Sequence, residues 1–310
     1  MIAVKNYRWL TVAVVVVAVL AVIYLMANPG GVATPLRSGE RVVVIYLQGN
    51  IDDGSGGFAI SGGITPRYVE EQLEKAESNP AIKAAVVRVN SPGGSVAASQ
   101  QIAAAFEDFS KPLVISMGDM AASGGYYISA PADGIVAQPG TLTGSIGVIS
   151  QVIDTGGLYE KLGLKVETIK SGRHKDMLSR EMTAAERELM QALSDELYDQ
   201  FVSDVARGRD LDKKKVLKLA TGQVYTGTQA LEAGLIDRLG GIEEAVAWAG
   251  EMAGLEDPEI YEFPPPSFLD QITGLGAKVA VLADKLTTPP EIQIMNYLQQ
   301  YNYLPRFILE

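Results

Sequence analysis

Cysteine is absent from this chain of 310 residues, and histidine occurs only once, as His174. Without cysteine there can be no disulfide framework, no thiolate nucleophile and no cysteine-ligated metal. A single imidazole also argues against a zinc site, because such sites draw several nitrogen or sulfur ligands from the protein. We therefore expect a protein that binds no metal, and the sequence indicates no other cofactor.

Basic residues are scarce relative to acidic ones. The formal net charge is -11, from 26 Lys and Arg against 37 Asp and Glu, and no basic patch offsets it. The phosphates of a nucleic acid would be repelled by such a surface, so nucleic acid is not an expected partner. The hydrophobic content of 47% is ample for a core, and the length allows one large domain or two small ones.

An uncharged and almost wholly apolar run extends from Trp9 to Ala27. It is long enough to cross a bilayer as a helix, and longer than the apolar part of an ordinary signal peptide. Lys5 and Arg8 precede it, and the next basic residue is Arg37. The positive-inside tendency then places the N-terminus in the cytosol and the remainder outside. A cleaved signal peptide is the alternative, although the run ends in a poor small-x-small site.

Short β-branched apolar runs alternate with helical patterns along the rest of the chain. This order predicts an α/β fold with a largely parallel sheet and helices outside it. The candidate strands are Val42–Leu47, Ala84–Val89, Leu113–Met117, Gly134–Ala137 and Val166–Ile169. The candidate helices are 66–78, 96–109, 184–207, 213–220 and 242–253.

The helix predicted at 184–207 carries the clearest local signals. Thr183 and Glu186 have the spacing of a capping box, which marks a helix start. Leu189, Leu193 and Phe201, with Leu197 between them, recur every four residues. Such a stripe indicates core packing or a contact between subunits rather than a ligand site.

These signals suggest a division of the chain into five segments. They are a cytoplasmic N-terminus at 1–8, a transmembrane anchor at 9–27, a linker at 28–40, a compact domain at 41–262 and a C-terminal extension at 263–310. The linker is rich in Gly and Pro, and a run of prolines at 264–266 marks the end of the domain. The extension ends in an unusually apolar tail, which we expect to pack on the domain or a neighbour, or else to enter a peptide groove.

The sequence around Ser123 suits a nucleophile. The apolar run before it predicts a strand, and the small residues from Asp119 to Gly125 suit a tight turn into a helix. A serine at such a turn lies at the positive end of the helix, where backbone N–H groups can stabilise an oxyanion. Taken alone, the same small residues would be explained by close packing of a helix.

Two further motifs support the catalytic interpretation. Arg88 to Ser95 reads RVNSPGGS, and Ser171 to Asp176 reads SGRHKD. Together with Ser123, TGSIG at 143–147 and two later blocks between 224 and 237, they resemble signal peptide peptidase A, a family of membrane-anchored Ser/Lys peptidases related in fold to the Clp protease. The resemblance extends from about Val42 to Gly241. It implies a Clp/crotonase-type α/β superhelix, in the single-copy form of the family because the chain shows no internal repeat.

The resemblance implies that Ser123 is the nucleophile and Lys175 its general base. A serine needs a neighbouring base to attack an amide carbonyl. A lysine acts as a base only as the neutral amine, and lowering a lysine pKa by about three units costs about 4 kcal/mol, which burial must supply. Ile169 and Leu178 are expected apolar neighbours of Lys175, with Met177. Ser145 matches the family serine that hydrogen-bonds and orients the neutral amine.

The oxyanion hole is implied at the N–H groups of Gly93 and Gly124. Gly93 and Gly94 lack a Cβ, so backbone there can approach a substrate closely. Gly94 and Ser95 are the expected substrate-binding residues, where an extended peptide would add as a strand. The implied substrates are apolar peptides, namely signal-peptide remnants.

A single-copy member cannot easily surround its own site. The resemblance therefore implies a homo-oligomeric ring, in which Ser123 of one subunit works with Lys175 of the next. The implied location is a bacterial-type cytoplasmic membrane, which the chain crosses once, with the peptidase domain extracytoplasmic.

Three alternatives stay open. His174 with Asp119 or Asp176 could form a Ser-His-Asp arrangement around Ser123, although the motif register places Lys175 at the base. A catalytically inactive membrane scaffold would share the anchor but has no reason to keep both Ser123 and Lys175. An acyl-thioester enzyme would share the fold and the oxyanion hole, but outside the membrane it would have little access to coenzyme A.

Overall fold

The computed structural model of this chain describes residues 39–54 and 63–263. The chain divides into two compact units, Met1–Gly39 and Glu40–Glu310, and every element described below belongs to the second. The predicted cytoplasmic segment, the anchor, all but the end of the linker, and the C-terminal extension after Phe263 lie outside the described residues. Within 39–54 and 63–263, no helix is both long and apolar enough to span a membrane.

The described residues alternate between strands and helices, as the sequence predicts. The strands are β1 (Arg41–Gln48), β2 (Ile82–Ser91), β3 (Leu113–Ala122), β4 (Gly134–Ala137), β5 (Leu142–Gly144), β6 (Val224–Thr226), β7 (Arg238–Leu239) and β8 (Glu259–Glu262). The helices are α1 (Pro66–Ser78), α2 (Val96–Glu107), α3 (Gly124–Ser129), α4 (Gly156–Lys161), α5 (Ala184–Gly208), α6 (Lys213–Leu219), α7 (Gly227–Ala233) and α8 (Ile242–Met252).

All eight described strands belong to one sheet. Six of them follow the order β6-β5-β3-β2-β1-β8, while β4 pairs with β3 outside this order and β7 pairs with β4. The long strand β3 changes partner along its length: its first part pairs with β4, and its last residues pair with β5. Every pairing is parallel except that between β5 and β6. The prediction of a mixed α/β fold with a mostly parallel sheet is therefore confirmed.

The central strands are buried on both faces, which explains why they read as continuous apolar runs. On β1, Val43 and Ile45 face the larger apolar cluster, to which α1, α2 and α3 contribute. Val42 and Val44 face the opposite side, where they join Ala245, Val246 and Ala249 of α8 in a second cluster. The alternation follows from the two-residue period of a strand.

This sheet brings three strand ends to one edge. β2, β3 and β5 are neighbours in the parallel part of the sheet. Their carboxyl ends therefore lie side by side, at the edge where α/β folds usually place their functional loops. The three segments that follow contain the motifs at 91–95, at Ser123 and at Ser145.

One predicted strand does not form. Val166–Ile169 has no regular secondary structure, and Val166 and Ile169 are 67% and 95% exposed. The prediction was wrong because a β-branched run becomes a strand only when another strand supplies its hydrogen bonds and an apolar surface covers one face. Neither is offered to 166–169 within the described residues.

The long helix α5 begins as predicted but buries only part of its stripe. Thr183 and Glu186 form the reciprocal capping box. Phe201 is 5% exposed and its ring lies 4.9 Å from that of Tyr127 on α3. By contrast, Leu189 and Leu193 are 46% and 52% exposed. The C-terminal half of the helix therefore belongs to the core, and the N-terminal half does not.

Candidate active site

Ser123 occupies the turn between β3 and α3 in a strained backbone conformation. Its φ is 52° and its ψ is -120°, a region that residues with a side chain rarely adopt. The N–H of Ser123 donates to the carbonyl of Gly144 at 2.8 Å, and its carbonyl accepts the N–H of Tyr127 at 2.9 Å. The hydroxyl caps no helix N–H, and the residue is half-buried. This is the geometry of a serine presented at a strand-to-helix elbow.

The glycines around this turn are required by close backbone approach. A Cβ on Gly124 would lie 2.7 Å from Ser99 Oγ and 3.2 Å from the Cα of Gly93. A Cβ on Gly93 would lie 2.6 Å from the backbone nitrogen of Gly124. The structure therefore brings the 91–95 loop directly against the start of α3, although about 30 residues separate them in sequence.

The two glycines of this loop differ in what their N–H groups do. Gly93 is buried, and its N–H donates to Ser91 Oγ at 3.1 Å. Gly94 is exposed, and its nitrogen lies 3.1 Å from the position that a Cβ of Gly124 would take. The Gly93 N–H, which the family resemblance assigns to the oxyanion hole, thus already donates to a side chain of its own turn.

Ser95 uses its backbone groups within the protein. Its N–H donates to the carbonyl of Ile51 at 2.8 Å, and its carbonyl accepts the N–H of Ser99 at 3.0 Å. Its hydroxyl caps α2 by accepting the N–H of Ala98. An extended peptide therefore has the backbone of Gly94 to pair with rather than that of Ser95, whose role in substrate binding stays a prediction.

Ser145 lies beside Ser123. Ala122 and Gly144 pair across β3 and β5, so the two serines leave adjacent strand ends. Ser145 also has a positive φ, of 49°. Its N–H donates to the carbonyl of Gln223 at 2.8 Å, whereas its hydroxyl makes only a long bond of 3.4 Å to the carbonyl of Gly222. The side chain is consequently able to turn to a better partner.

Lys175 makes no hydrogen bond with Ser123 or Ser145 within the described residues. It lies in a series of turns before α5, and its side chain is exposed. Within residues 39–54 and 63–263, its amine forms no hydrogen bond or ion pair. Of its expected apolar neighbours, Ile169 is 95% and Leu178 55% exposed. Lys175 is therefore not buried within one protomer, and its burial by a neighbouring subunit stays a prediction.

His174 is engaged away from both candidate aspartates. Its Nδ1 shares a hydrogen bond of 3.0 Å with Glu186 Oε1. Asp176, its possible partner, instead accepts hydrogen bonds from Arg180 at 3.0 and 3.1 Å and from Lys170 at 2.5 Å. The Ser-His-Asp alternative therefore finds no support in the hydrogen bonds that are formed.

Glu186 is the centre of a side-chain network that the sequence pattern does not predict. Its carboxylate, 2% exposed, accepts hydrogen bonds from Arg180 at 2.8 and 2.9 Å, and from the N–H and hydroxyl of Thr183 at 2.9 Å. The signal available was the capping-box spacing, which indicated only a helix start. The Arg180 guanidinium, followed by Thr183 and His174, holds the pKa of Glu186 well below its usual range. Hydrogen bonds from Arg180 and then Lys170 lower the pKa of Asp176 to about 2.

The described residues show no grouping of His, Asp and Glu side chains that could hold a metal ion. What the assembled residues can do is attack a carbonyl. A strained serine at the end of a parallel strand, flanked by glycine amides, defines the class of hydrolytic enzymes that use an activated hydroxyl as nucleophile.

Comparison with known proteins assigns the family. The profile of peptidase family S49 matches residues 105–256. A Synechocystis protein that is provisionally named a protease is 42% identical over 236 residues, which are 74% of this chain and 84% of the relative. A protein of Enterococcus faecium, provisionally named signal peptide peptidase SppA, is 36% identical over 249 residues, 78% of this chain and 72% of that relative. The chain belongs to the SppA family of S49 peptidases and is a serine peptidase.

Two further matches differ in extent. Protease 4 of Salmonella typhi is 39% identical over 244 residues, which are 77% of this chain but 39% of that relative. A solved structure, a serine-to-alanine mutant of the membrane-bound stomatin-specific protease 1510-N, has a TM-score of 0.49 and 14% identity, over 74% of this chain and 99% of that one. That structural likeness is too low to carry an argument about the site.

Proposed function

We propose that this peptidase uses Ser123 as nucleophile and Lys175 as general base, with the two residues supplied by different subunits of a ring. The observation that carries the proposal is a contrast within one protomer. Ser123 is held at a strained turn with Ser145, Gly93, Gly94 and Gly124 around it, whereas Lys175 projects from an exposed segment and has no partner within the described residues. A second copy would complete the site.

In the proposed reaction, the neutral amine of Lys175 accepts the Ser123 hydroxyl proton as the oxygen attacks the peptide carbonyl. The resulting oxyanion takes hydrogen bonds from backbone N–H groups. The ammonium then returns the proton to the leaving amine as the C–N bond breaks, which leaves an acyl-enzyme. A water molecule, deprotonated by Lys175, attacks the ester, and Ser123 recovers its proton when the acid product leaves.

The N–H of Gly124 is the first oxyanion donor that we propose, because the opening N–H groups of a helix have no intrahelical partner. The choice of the second donor lies between Gly93 and Gly94. The Gly93 N–H already donates to Ser91 Oγ, while Gly94 is exposed and adjoins Gly124. We therefore favour Gly94 over Gly93. Removing one such donor typically costs roughly 3 kcal/mol of transition-state stabilisation.

The exposed apolar side chains support assembly. Before and within the first half of α5, many large apolar residues are at least about half exposed: Ile149, Ile153, Leu158, Leu162, Leu164, Val166, Ile169, Leu178, Leu189 and Leu193. We call residues 149–193 the apolar arm. Soluble monomers rarely expose apolar surface on this scale, and a neighbouring subunit would bury it. The same burial would supply the desolvation that a neutral lysine requires.

The proposed setting is the outer side of a cytoplasmic membrane, with residues 9–27 as the anchor in the bilayer. The proposal draws on the apolar run itself and on the positions of Lys5, Arg8 and Arg37. An anchored peptidase meets substrates that remain in or near the bilayer. Apolar peptides such as signal-peptide remnants fit that position, and their extended backbone would pair with Gly94.

A serine-reactive phosphonate probe tests the proposed site directly. Peptide mapping should locate the label on Ser123 in the assembled wild-type protein, and cleavage of apolar peptides should stop in proportion to labelling. Ser123→Ala should take up no label and have no activity, while Ser129→Ala, at the end of α3, is the matched control for a change of serine. Label on another serine, with activity lost, would overturn the assignment of the nucleophile.

A further inference from the structure

The loop that carries Lys175 is held by an ionic cluster, although the segment around it is largely exposed. The cluster consists of Lys170, His174, Asp176, Arg180 and Glu186. Glu186, 2% exposed, provides its buried centre on the first turn of α5. Since α5 packs into the core through Phe201, about 22 Å further along the helix axis, the loop is tied to a rigid element.

Both residues that adjoin Lys175 in sequence are fixed by this cluster. His174 is bound to Glu186 at 3.0 Å, and Asp176 is bound to Arg180 at 3.0 and 3.1 Å. Arg180 in turn donates to both oxygens of Glu186, at 2.9 and 2.8 Å. The backbone at Lys175 is therefore restrained on either side, while its own amine takes no part in the cluster.

The charges of the cluster also matter to Lys175. A carboxylate beside an ammonium stabilises the charged form and so opposes its use as a base. Asp176 is the carboxylate next to Lys175 in sequence, but Arg180 and Lys170 already bind its oxygens. Two cations and two carboxylates balance within the cluster. The other charged groups nearby are Arg173, which is exposed, and Glu181, which pairs with Arg187 at 3.5 Å.

We propose that Arg180 and Glu186 are positioning residues for Lys175: they hold its loop in place, and they keep the Asp176 carboxylate from pairing with its amine. This inference rests on the proposed role of Lys175 as the base. It assigns a function to a cluster that would otherwise count as an exposed ion-pair network, of little value for stability.

The test replaces Arg180 and follows the pH dependence of peptide hydrolysis by the assembled protein. In Arg180→Gln, Asp176 loses both hydrogen bonds from Arg180 and keeps only the one from Lys170. The oxygen that is set free should attract the Lys175 amine and favour the ammonium. We expect kcat at neutral pH to fall about tenfold or more with little change in KM. The pH of half-maximal kcat should rise by about one unit, the size of a nearby charge effect. The deficit should narrow at alkaline pH.

Two controls separate charge from structure. Arg187→Gln removes an arginine near the start of α5 that is 62% exposed and outside the cluster, and should leave the pH profile unchanged. Asp176→Asn combined with Arg180→Gln should bring the pH midpoint back toward the wild-type value, because the competing carboxylate is gone. Asp176→Asn alone should move the midpoint little, since that carboxylate is already bound by cations.

The outcomes distinguish this inference from the proposed base. If Lys175→Ala is inactive but Arg180→Gln keeps the wild-type rate and pH midpoint, the positioning role is wrong and the dyad stands. A rate loss without a shift in the midpoint, not relieved by Asp176→Asn, would leave only a structural role and would also overturn the inference. If Lys175→Ala remains active, the dyad itself fails. Arg180→Lys, which keeps the charge, should retain the midpoint and provides a folded comparison.

Discussion

The two halves of the proposed site are built in opposite ways. The Ser123 half lies at the ends of three neighbouring strands, where backbone hydrogen bonds and close glycine contacts set its geometry. The Lys175 half lies on the apolar arm and is held by side-chain ion pairs at the start of α5. One half is complete within the protomer, and the other is ordered but exposed. Under the proposed shared site, assembly is the step that brings the serine and its base together.

Mixing two inactive variants tests most directly whether the two halves of the site come from different subunits. Ser123→Ala and Lys175→Ala should each be inactive alone, because one lacks the nucleophile and the other the base. When subunits of the two variants co-assemble in equal amounts, roughly a quarter of the sites in a head-to-tail ring should regain an intact pair. Peptide hydrolysis after subunit exchange measures this recovery.

The control mixes Ser123→Ala with a double variant that carries both Ser123→Ala and Lys175→Ala. Because neither protein has Ser123, this mixture should stay inactive. Co-assembly has to be shown with differently tagged subunits. If tagged hetero-oligomers form and no activity returns, both residues must come from one subunit.

Replacing Lys175, the proposed general base, should give the next largest effect on activity. Lys175→Ala should lower the chemical step by roughly two to four decades, as expected when a general base is lost. Lys175→Arg should be nearly as damaging, because a guanidinium stays protonated. His174→Ala removes a single contact to Glu186 and should cost only a few-fold. A pre-steady-state burst measures acylation directly. If His174→Ala is inactive although it folds and assembles, and Lys175→Ala remains active, a histidine-based mechanism must replace the Ser/Lys assignment.

The two ends of α5 should respond differently to substitution. Phe201→Ala removes a buried ring and should lower the free energy of unfolding by about 3–5 kcal/mol. Leu189→Asp and Leu193→Asp, at exposed positions, should leave the unfolding of the protomer nearly unchanged but weaken assembly and activity together. Leu217→Asp, at a position 42% exposed on α6, is the matched control. Sedimentation and thermal unfolding separate the two effects, and a Leu189→Asp protein with normal assembly would remove the arm from the interface.

The smallest expected effect concerns acid pH. The pKa of Asp176 is lowered to about 2, chiefly by hydrogen bonds from Arg180 and then from Lys170. A carboxyl whose pKa is depressed on folding stabilises the folded state above its ordinary pKa, near 3.8, and this contribution is lost as the pH falls toward 2. Wild type should therefore unfold at a slightly higher temperature than Asp176→Asn above pH 4. The difference should vanish near pH 2, and a difference independent of pH would contradict the ion pairs.

Much of the fold follows from local patterns that the sequence displays. Thr65 and Pro66 predict the start of α1, and Thr183 with Glu186 predicts the start of α5. The apolar runs at β1 to β4 predict their strands, because strands buried on both faces must be apolar throughout. Val166–Ile169 has the same composition and forms no strand. The composition of a segment shows that its side chains can be buried, but it does not show whether another element of the fold is present to cover them.

The candidate site shows the same division between local and distant causes. Local sequence determined that Ser123 follows a strand and precedes a helix, and that the two motifs contain glycines, at positions 93 and 124. Only the tertiary structure decided that the Gly93 N–H donates to Ser91 Oγ, that His174 binds Glu186 and that Lys175 stays exposed. The physical reason is the sequence distance over which each kind of interaction acts. Caps, turns and strand periodicity depend on residues a few positions apart, whereas hydrogen-bond partners and burial depend on groups that meet only when the sheet and helices have packed.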